Sequence, residues 1–131
     1  MNLLLDTRVL IWWLADDPRL GIVCRERIGD PATRVFVSAA SAWEIAIKYK
    51  IGRLTLPGPP EAWFEEEQAR NGFEGLPAGI ADSLAAGALP IHHRDPFDRM
   101  LIVQARQNGL ALVTSDRAME HYDVTLMAAD A

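Results

Sequence analysis

The chain begins with the stretch NLLLDTRVLIWWL, Asn2–Leu14, in which a single acid, Asp6, joins two hydrophobic patterns. The residues before Asp6 form a short apolar run of the kind found in buried strands. From Val9 onward the apolar residues follow near-helical spacing until the breaker cluster Asp16-Asp17-Pro18. The stretch therefore predicts a strand, an acid at its carboxyl end, and then a helix.

The same succession of strand and helix continues along the chain. Apolar runs bounded by turn residues predict four further strands, at residues 34–38, 73–76, 110–113 and 124–127. Helical spacing predicts helices at residues 20–29, 41–50, 61–70, 80–88 and 96–108, with a helical turn at 117–121. Strands that alternate with helices predict an α/β fold with a parallel sheet. No linker divides the chain, so we expect a single domain over residues 1–131.

Composition is that of an ordinary globular protein and excludes several other classes. Half of the 131 residues are apolar and 24% are charged, without repeats or low-complexity segments. The longest apolar run, Val9–Ala15, is far shorter than the roughly twenty residues of a membrane helix. Cys24 is the only cysteine, which excludes a disulfide within the chain and predicts a buried apolar thiol. We expect a soluble, cytoplasmic protein.

The net charge of -5 argues against nucleic-acid binding through a general excess of Lys and Arg. It does not exclude nucleic acid as a substrate. A site that holds divalent cations is acidic in sequence and cationic when loaded.

Three acids next to predicted strands have a simple interpretation as helix caps. Asp6 is placed to be the N-cap of the first helix, a contribution of about 1 kcal/mol. Glu44 follows Ser41 by three residues, the spacing of a capping box. Asp116 follows the strand at 110–113 and is placed to cap the turn at 117–121. Taken one at a time, these acids are explained by capping.

Two further acids lie in the stretch HRDPFDRMLIVQA, His93–Ala105. Asp95 precedes a proline, so it is the expected N-cap of a helix whose first residue is Pro96. Asp98 is then the third helical residue, where a negative charge suits the helix dipole. The stretch therefore predicts both a helix start and an acid held in its first turn.

The joint placement of the acids points beyond capping. In an open parallel sheet the carboxyl ends of the strands share one edge, and ligands bind there. Carboxylates gathered at that edge repel one another unless a cation lies between them. All-oxygen ligation, without a Cys or His cluster, favours Mg²⁺ or Mn²⁺, and such ions activate water for phosphodiester hydrolysis.

The sequence resembles the PIN domain family, and more narrowly the VapC-type ribonuclease toxins of type II toxin–antitoxin systems. The resemblance extends from residue 3 to about residue 127 and rests on motifs in the expected order and spacing: Leu3–Thr7, Ser41–Lys48, His93–Ile102 and Val113–Asp116. It implies a three-layer α/β/α sandwich with a mostly parallel central sheet. It also implies an Mg²⁺- or Mn²⁺-dependent endoribonuclease that hydrolyses RNA with metal-activated water, a cognate VapB-type antitoxin and a homodimer.

By the same resemblance, the catalytic metal ligands are four acids: Asp6, Glu44, Asp98 and Asp116. The expected supporting residues are Asp95, Thr7, Thr114 and Ser115, and the expected RNA contacts are Lys48, Arg94, Arg99 and Arg8. Arg8 stands where relatives often carry His, which bears on substrate preference. Adjacent histidines on a loop are more typical of polar surface than of a metal pair, and this is the interpretation of His92 and His93.

Other function classes compete with the nuclease. An aspartate-dependent phosphohydrolase also places an Asp after the first strand, but a second acid is expected two residues on, where this chain has Arg8. A receiver-like phosphoacceptor domain calls for paired acids there and a Lys after the last strand. A binding module without catalysis is the remaining alternative, and it does not explain why all four acids are present.

Overall fold

A five-stranded sheet forms the centre of the computed structural model, which describes all 131 residues. The strands are β1 (Leu3–Leu5), β2 (Val35–Ser38), β3 (Glu74–Leu76), β4 (Ala111–Thr114) and β5 (Leu126–Ala128). Their order across the sheet is β3-β2-β1-β4-β5, and every neighbouring pair is parallel. The predicted α/β fold with a parallel sheet is confirmed.

Six helices connect the strands and cover both faces of the sheet. They are α1 (Thr7–Leu14), α2 (Ile22–Gly29), α3 (Ala39–Lys50), α4 (Pro60–Asn71), α5 (Ile80–Ala88) and α6 (Pro96–Asn108), with a short 3-10 helix at Arg117–His121. No helix combines the length and apolar character that crossing a membrane requires.

The run of leucines in β1 shows why the sheet has a helical layer on each face. Leu3, Leu4 and Leu5 are all fully buried, although successive side chains of a strand point to opposite faces. Leu3 and Leu5 pack in a core with residues of α1 and α2, whereas Leu4 packs in a second core with residues of α6. Both faces of β1 are therefore covered, which makes the three-layer sandwich.

The sheet reverses its order of connection between β1 and β4. From β1 the chain proceeds to β2 and β3 on one side, and β4 and β5 lie on the other side. Ligands of open α/β sheets bind at such a switch point, beyond the carboxyl ends of the strands. Asp6 follows β1 directly, and Asp116 comes two residues after β4. The topology thus brings two of the predicted acids to the same place.

Candidate active site

A polar cleft of about 310 Å³ lies at the carboxyl ends of β1 and β4. All four acids predicted as metal ligands line it: Asp6, Glu44, Asp98 and Asp116. Three larger clefts are present, and one of them, of about 590 Å³, is lined by residues of α5 and α6. One of about 460 Å³ adjoins the polar cleft through Ser115 and Asp116, and one of about 580 Å³ is mainly apolar. Only the polar cleft gathers the acids, and it is the candidate active site.

Asp6 combines the structural role expected of it with a buried charge. Its side chain accepts a hydrogen bond of 2.7 Å from the backbone N–H of Val9, so it is the N-cap of α1 as predicted. The residue is only 5% exposed. Burial raises the pKa of Asp6, opposed by hydrogen bonds from Thr114 and Val9. A carboxylate held in this way is stabilised by a bound cation.

The prediction that Glu44 completes a capping box with Ser41 is wrong. The helix α3 begins earlier, because the hydroxyl of Ser38 at the end of β2 accepts a hydrogen bond of 3.0 Å from the N–H of Ala40. Glu44 therefore lies within the helix, and its side chain is directed into the cleft. One carboxylate oxygen accepts a 2.6 Å hydrogen bond from Lys48 Nζ, while the other, Oε1, is buried without a partner.

The start of α6 holds Asp98 as the sequence predicts. Asp95 is the N-cap and accepts hydrogen bonds from the N–H groups of Phe97 and Asp98, at 2.9 and 3.2 Å. The pKa of Asp98 is raised to about 7, first by burial and then by the charge of Asp95, with Asp6 adding to the effect. A hydrogen bond with His93 opposes this rise. Asp98 is thus held close to other negative charges.

His93 is a member of the site, and its interpretation as polar surface is wrong. Its Nε2 lies 2.8 Å from Asp98 Oδ2 and 3.0 Å from Asp116 Oδ2. These three donor atoms lie within 4.8 Å of one another, a grouping that can hold a metal ion. The cleft therefore offers a nitrogen donor beside the carboxylate oxygens that the sequence predicted. His92, by contrast, is exposed and packs beside His121 and Tyr122.

The loop that carries His93 is held by two residues that the sequence did not connect with it. The buried hydroxyl of Tyr122 accepts hydrogen bonds from the N–H groups of His92 and His93 and donates one to the carbonyl of Pro90. Arg99 donates to four backbone carbonyls, those of Gly87, Leu89, Pro90 and His93. The guanidinium of Arg99 thus fixes this loop, and we assign it no RNA contact.

The three hydroxyl residues predicted to support the site, Thr7, Thr114 and Ser115, differ in their contacts. Thr7 is buried and donates a 3.0 Å hydrogen bond to Ser41 Oγ, which ties α1 to α3. Thr114 accepts a 3.0 Å hydrogen bond from the N–H of Asp116 and orients the turn after β4. Ser115 is exposed and lines the cleft. Thr7 and Ser115 both line the cleft, and of the two only Ser115 is exposed.

Three exposed basic residues line the cleft together with its buried and half-buried acids: Arg8, Lys48 and Arg53. Arg8 and Lys48 were predicted as RNA contacts, whereas Arg53 was missed. It follows the glycine that ends α3, and no motif marks it. Arg94 is exposed and is not among the lining residues. The cleft therefore has a basic rim beside its acidic floor, which suits a phosphate chain.

The donor set of the cleft fits a divalent cation. Glu44 Oε1 is a buried carboxylate oxygen without a hydrogen-bond partner, a situation that costs free energy unless a cation or water satisfies it. The pKa values of Asp6 and Asp98 are both raised, mainly by burial, so these groups favour a neutralising partner. Mg²⁺ and Mn²⁺ take carboxylate oxygens of this kind.

The stability of the metal-free protein is expected to fall as the pH rises from about 4 to about 7. The pKa of Asp98 is about 7 in the folded protein against an ordinary value of 3.8, so the folded chain binds this proton more tightly than the unfolded chain. The contribution is complete at low pH and is lost as the pH approaches about 7. Urea unfolding in EDTA at about pH 5 and about pH 8 measures it.

The variant Asp98→Asn serves as the control for this pH dependence, because it cannot titrate at this position. We expect its unfolding midpoint to change less between the two pH values than that of the unsubstituted protein. Equal changes in both proteins would contradict the assignment to Asp98.

The chain matches one protein family and is similar in sequence to two ribonucleases. The family model described as the PIN domain matches residues 3–124. Ribonuclease VapC22 of Mycobacterium tuberculosis is 31% identical in an alignment of 126 residues, and the match covers 92% of this chain and 92% of that protein. Ribonuclease VapC16 of the same organism is 40% identical over 52 residues, covering 40% of this chain and 37% of its own.

Solved structures share the fold at lower sequence identity. VapBC from Salmonella typhimurium, bound to DNA, contains a chain with a TM-score of 0.73 and 21% identity, with 98% of both chains covered. VapBC2 from Rickettsia felis, bound to a DNA fragment from its promoter, gives a TM-score of 0.72 at 13% identity, again with 98% of both chains covered. At these identities the likeness shows the fold.

Proposed function

Because the chain belongs to the PIN domain family, we propose that it is a divalent-metal-dependent endoribonuclease that acts as the toxin of a toxin–antitoxin pair. The observation that carries the proposal is the convergence of four carboxylates, from Asp6, Glu44, Asp98 and Asp116, in one cleft at the switch point of the sheet. The family match and the VapC22 relative support nuclease chemistry for this arrangement.

The four carboxylates would hold Mg²⁺ or Mn²⁺, and the bound ion would supply activation of water and neutralisation of charge on the phosphodiester. Asp6 and Asp98 bring buried negative charge that is already held in place by the starts of α1 and α6. Glu44 brings the unpaired oxygen Oε1. The protein therefore presents these donors before the ion arrives, which reduces the cost of reorganisation.

The basic rim is proposed to position the RNA backbone. Arg8 and Arg53 each offer a guanidinium that can pair with a phosphate through two hydrogen bonds. The Nζ of Lys48 lies 2.6 Å from Glu44 Oε2, yet 46% of the Lys48 side chain is exposed. Lys48 can therefore pair with Glu44 and contact a phosphate at the same time. Arg94 does not line the cleft, but it is exposed and follows His93 directly in the sequence, so we retain it as a proposed RNA contact. This local arrangement compensates for the overall charge of -5.

We further propose a VapB-type antitoxin and a second copy of the chain as partners. The structural neighbours from Salmonella typhimurium and Rickettsia felis are VapBC complexes, which supports the antitoxin. Large apolar side chains are exposed on α3, on α5 and in the following loop: Trp43, Ile80, Leu84 and Ile91. Exposed apolar surface of this kind is typical of protein interfaces. Light scattering of the purified chain measures whether it forms a homodimer.

An RNA cleavage assay tests the proposed activity. The purified chain is incubated with a pool of structured and unstructured RNA in Mg²⁺, in Mn²⁺ or in EDTA, and the cut ends are mapped. We expect internal cuts with either metal and none in EDTA. Asp6→Asn, which retains a capping side chain, serves as the inactive control. Cleavage that persists in EDTA, or in folded Asp6→Asn protein, would contradict the proposal.

Glu44→Gln is expected to lower metal-dependent cleavage at least about tenfold, the smaller loss typical of residues around a metal. The change removes one charge from the cleft without changing side-chain size. Because Glu44 lies within α3 and does not cap it, the helix is expected to remain intact by circular dichroism. Glu65→Gln on α4, at an exposed residue that does not line the cleft, is the matched control. Unchanged cleavage in Glu44→Gln would remove Glu44 from the site.

A further inference from the structure

We propose that His93 is itself a ligand of the divalent ion, which makes the site a mixed nitrogen and oxygen site that prefers Mn²⁺ to Mg²⁺. The inference deepens the proposed function and rests on it, because it takes the metal site as given. It adds the identity of one ligand and the metal that this ligand selects.

The position of the His93 ring nitrogen matches that of a ligand. Nε2 lies 2.8 Å from Asp98 Oδ2 and 3.0 Å from Asp116 Oδ2. Adjacent donors around an octahedral ion with bonds near 2.1 Å are separated by about 3.0 Å. All three donor atoms lie within 4.8 Å of one another, so one ion can contact all of them. The imidazole thus has the spacing of a third ligand beside the two carboxylates.

The backbone around His93 is fixed on both sides, as a ligand residue requires. Its N–H donates a 2.9 Å hydrogen bond to the hydroxyl of Tyr122, and its carbonyl accepts one of 3.1 Å from Arg99. The side chain itself is only 19% exposed. Because the backbone is fixed and the side chain is mostly buried, little conformational entropy is lost when the ring binds an ion. Supporting contacts of this kind orient metal ligands.

An imidazolium placed between the two carboxylates would give the same distances in the metal-free protein. The two interpretations differ in what happens when an ion enters. A ligand keeps its nitrogen on the metal, whereas a hydrogen-bond donor is displaced and leaves only oxygen around it. The distinction is therefore spectroscopic, and it can be measured directly.

A nitrogen ligand changes which metal the site prefers. Carboxylates alone bind Mg²⁺ and Mn²⁺ as similar hard ions, whereas imidazole is a ligand of first-row transition metals and a poor one for Mg²⁺. The presence of His93 therefore raises the affinity for Mn²⁺ without a matching gain for Mg²⁺. Removal of the ring should reduce this difference between the two metals.

The experiment compares the unsubstituted protein with His93→Gln, using Mn²⁺ and Mg²⁺ alone as probes. Electron spin-echo spectroscopy of bound Mn²⁺ detects a coordinated imidazole nitrogen, and calorimetry measures the affinity for each metal. We expect a nitrogen coupling in the unsubstituted protein that is lost in His93→Gln. The Mn²⁺ affinity should fall at least about tenfold, with a smaller change for Mg²⁺.

The neighbouring histidine provides a matched control. His92→Gln removes an imidazole one residue away that packs beside His121 and Tyr122 and does not contact the acids. It is expected to retain both the nitrogen coupling and the preference for Mn²⁺. Thermal unfolding of both variants confirms that they are folded, so that lost binding is not lost structure.

The outcomes separate this inference from the proposed function. If Mn²⁺ binds to the unsubstituted protein without nitrogen coupling, and His93→Gln leaves the ratio of affinities unchanged, His93 is not a ligand and the nuclease proposal stands. If neither metal binds, or if Asp98→Asn binds Mn²⁺ as tightly as the unsubstituted protein, the metal site itself is wrong.

Discussion

Replacement of Asp98 by Asn is expected to reduce metal-dependent RNA cleavage at least about a hundredfold. Even residues that only hydrogen-bond to a metal ligand change metal affinity or activity by about 10- to 100-fold when they are replaced. The change removes a charge in contact with His93 while keeping the size of the side chain. Asp98 does not cap α6, since Asp95 does so. The helix is therefore expected to remain, and cleavage rates with Mn²⁺ measure the effect.

Asp95→Asn is the matched control for Asp98→Asn. The two acids lie three residues apart and both line the cleft. Asn caps a helix about as well as Asp, so the substitution at position 95 preserves the start of α6. We expect it to keep most of the cleavage activity. Equal loss in both variants would mean that general negative charge, and not ligation by Asp98, supports activity.

Leu101→Ala is expected to destabilise the protein by about 2–5 kcal/mol, the usual range for truncation of a buried leucine. Leu101 is fully buried on α6 and packs in the core that includes Leu4 and Leu112 of the sheet. Truncation leaves a cavity between the helix and β1 and β4. The free energy of unfolding in urea measures the loss, with the slope of the transition unchanged.

Gln107→Ala, an exposed substitution on the same helix, is expected to change stability by less than about 0.5 kcal/mol. The two variants therefore compare the stability lost by truncating a buried and an exposed side chain of the same helix. A Leu101→Ala protein as stable as Gln107→Ala would show that α6 does not pack against the sheet as described.

The positions of three acids could be predicted because local rules place them. Asp6, Asp95 and Asp116 each cap the helix or turn that follows them, as their neighbours in sequence indicate. A cap is formed by hydrogen bonds between residues two or three positions apart, so it can be predicted without the rest of the fold. The parallel sheet then places residues that follow β1 and β4 at one edge.

Glu44 lines the cleft, as the family resemblance implied, whereas its alternative interpretation as part of a capping box with Ser41 was wrong. The residues around it allow a helix start at either Ser38 or Ser41, since both offer a hydroxyl. The end of β2, which is set by pairing with β1 and β3, decides in favour of Ser38. The choice of cap thus depends on strands that are distant in sequence.

His93 and Arg99 show a larger gap between sequence and site. His93 lies on a loop, and the helical pattern at residues 96–108 does not indicate which groups the Arg99 side chain contacts. The place of His93 depends on Tyr122, which lies 29 residues away and fixes the loop through its hydroxyl. Arg99 in turn is held by four backbone carbonyls between residues 87 and 93. Such a contact between distant segments leaves no spacing or composition signal in the sequence.

By itself the sequence determined the order of strands and helices, the two buried faces of β1 and the caps that hold the acids, because these follow from local hydrophobic periodicity and short-range hydrogen bonds. Only the tertiary structure decided that His93 faces Asp98 and Asp116. It also decided that Arg99 donates its hydrogen bonds to the backbone of the loop before α6, and that one oxygen of Glu44 has no partner. The physical reason is that a ligand set depends on distances between segments far apart in the chain, which are set by packing.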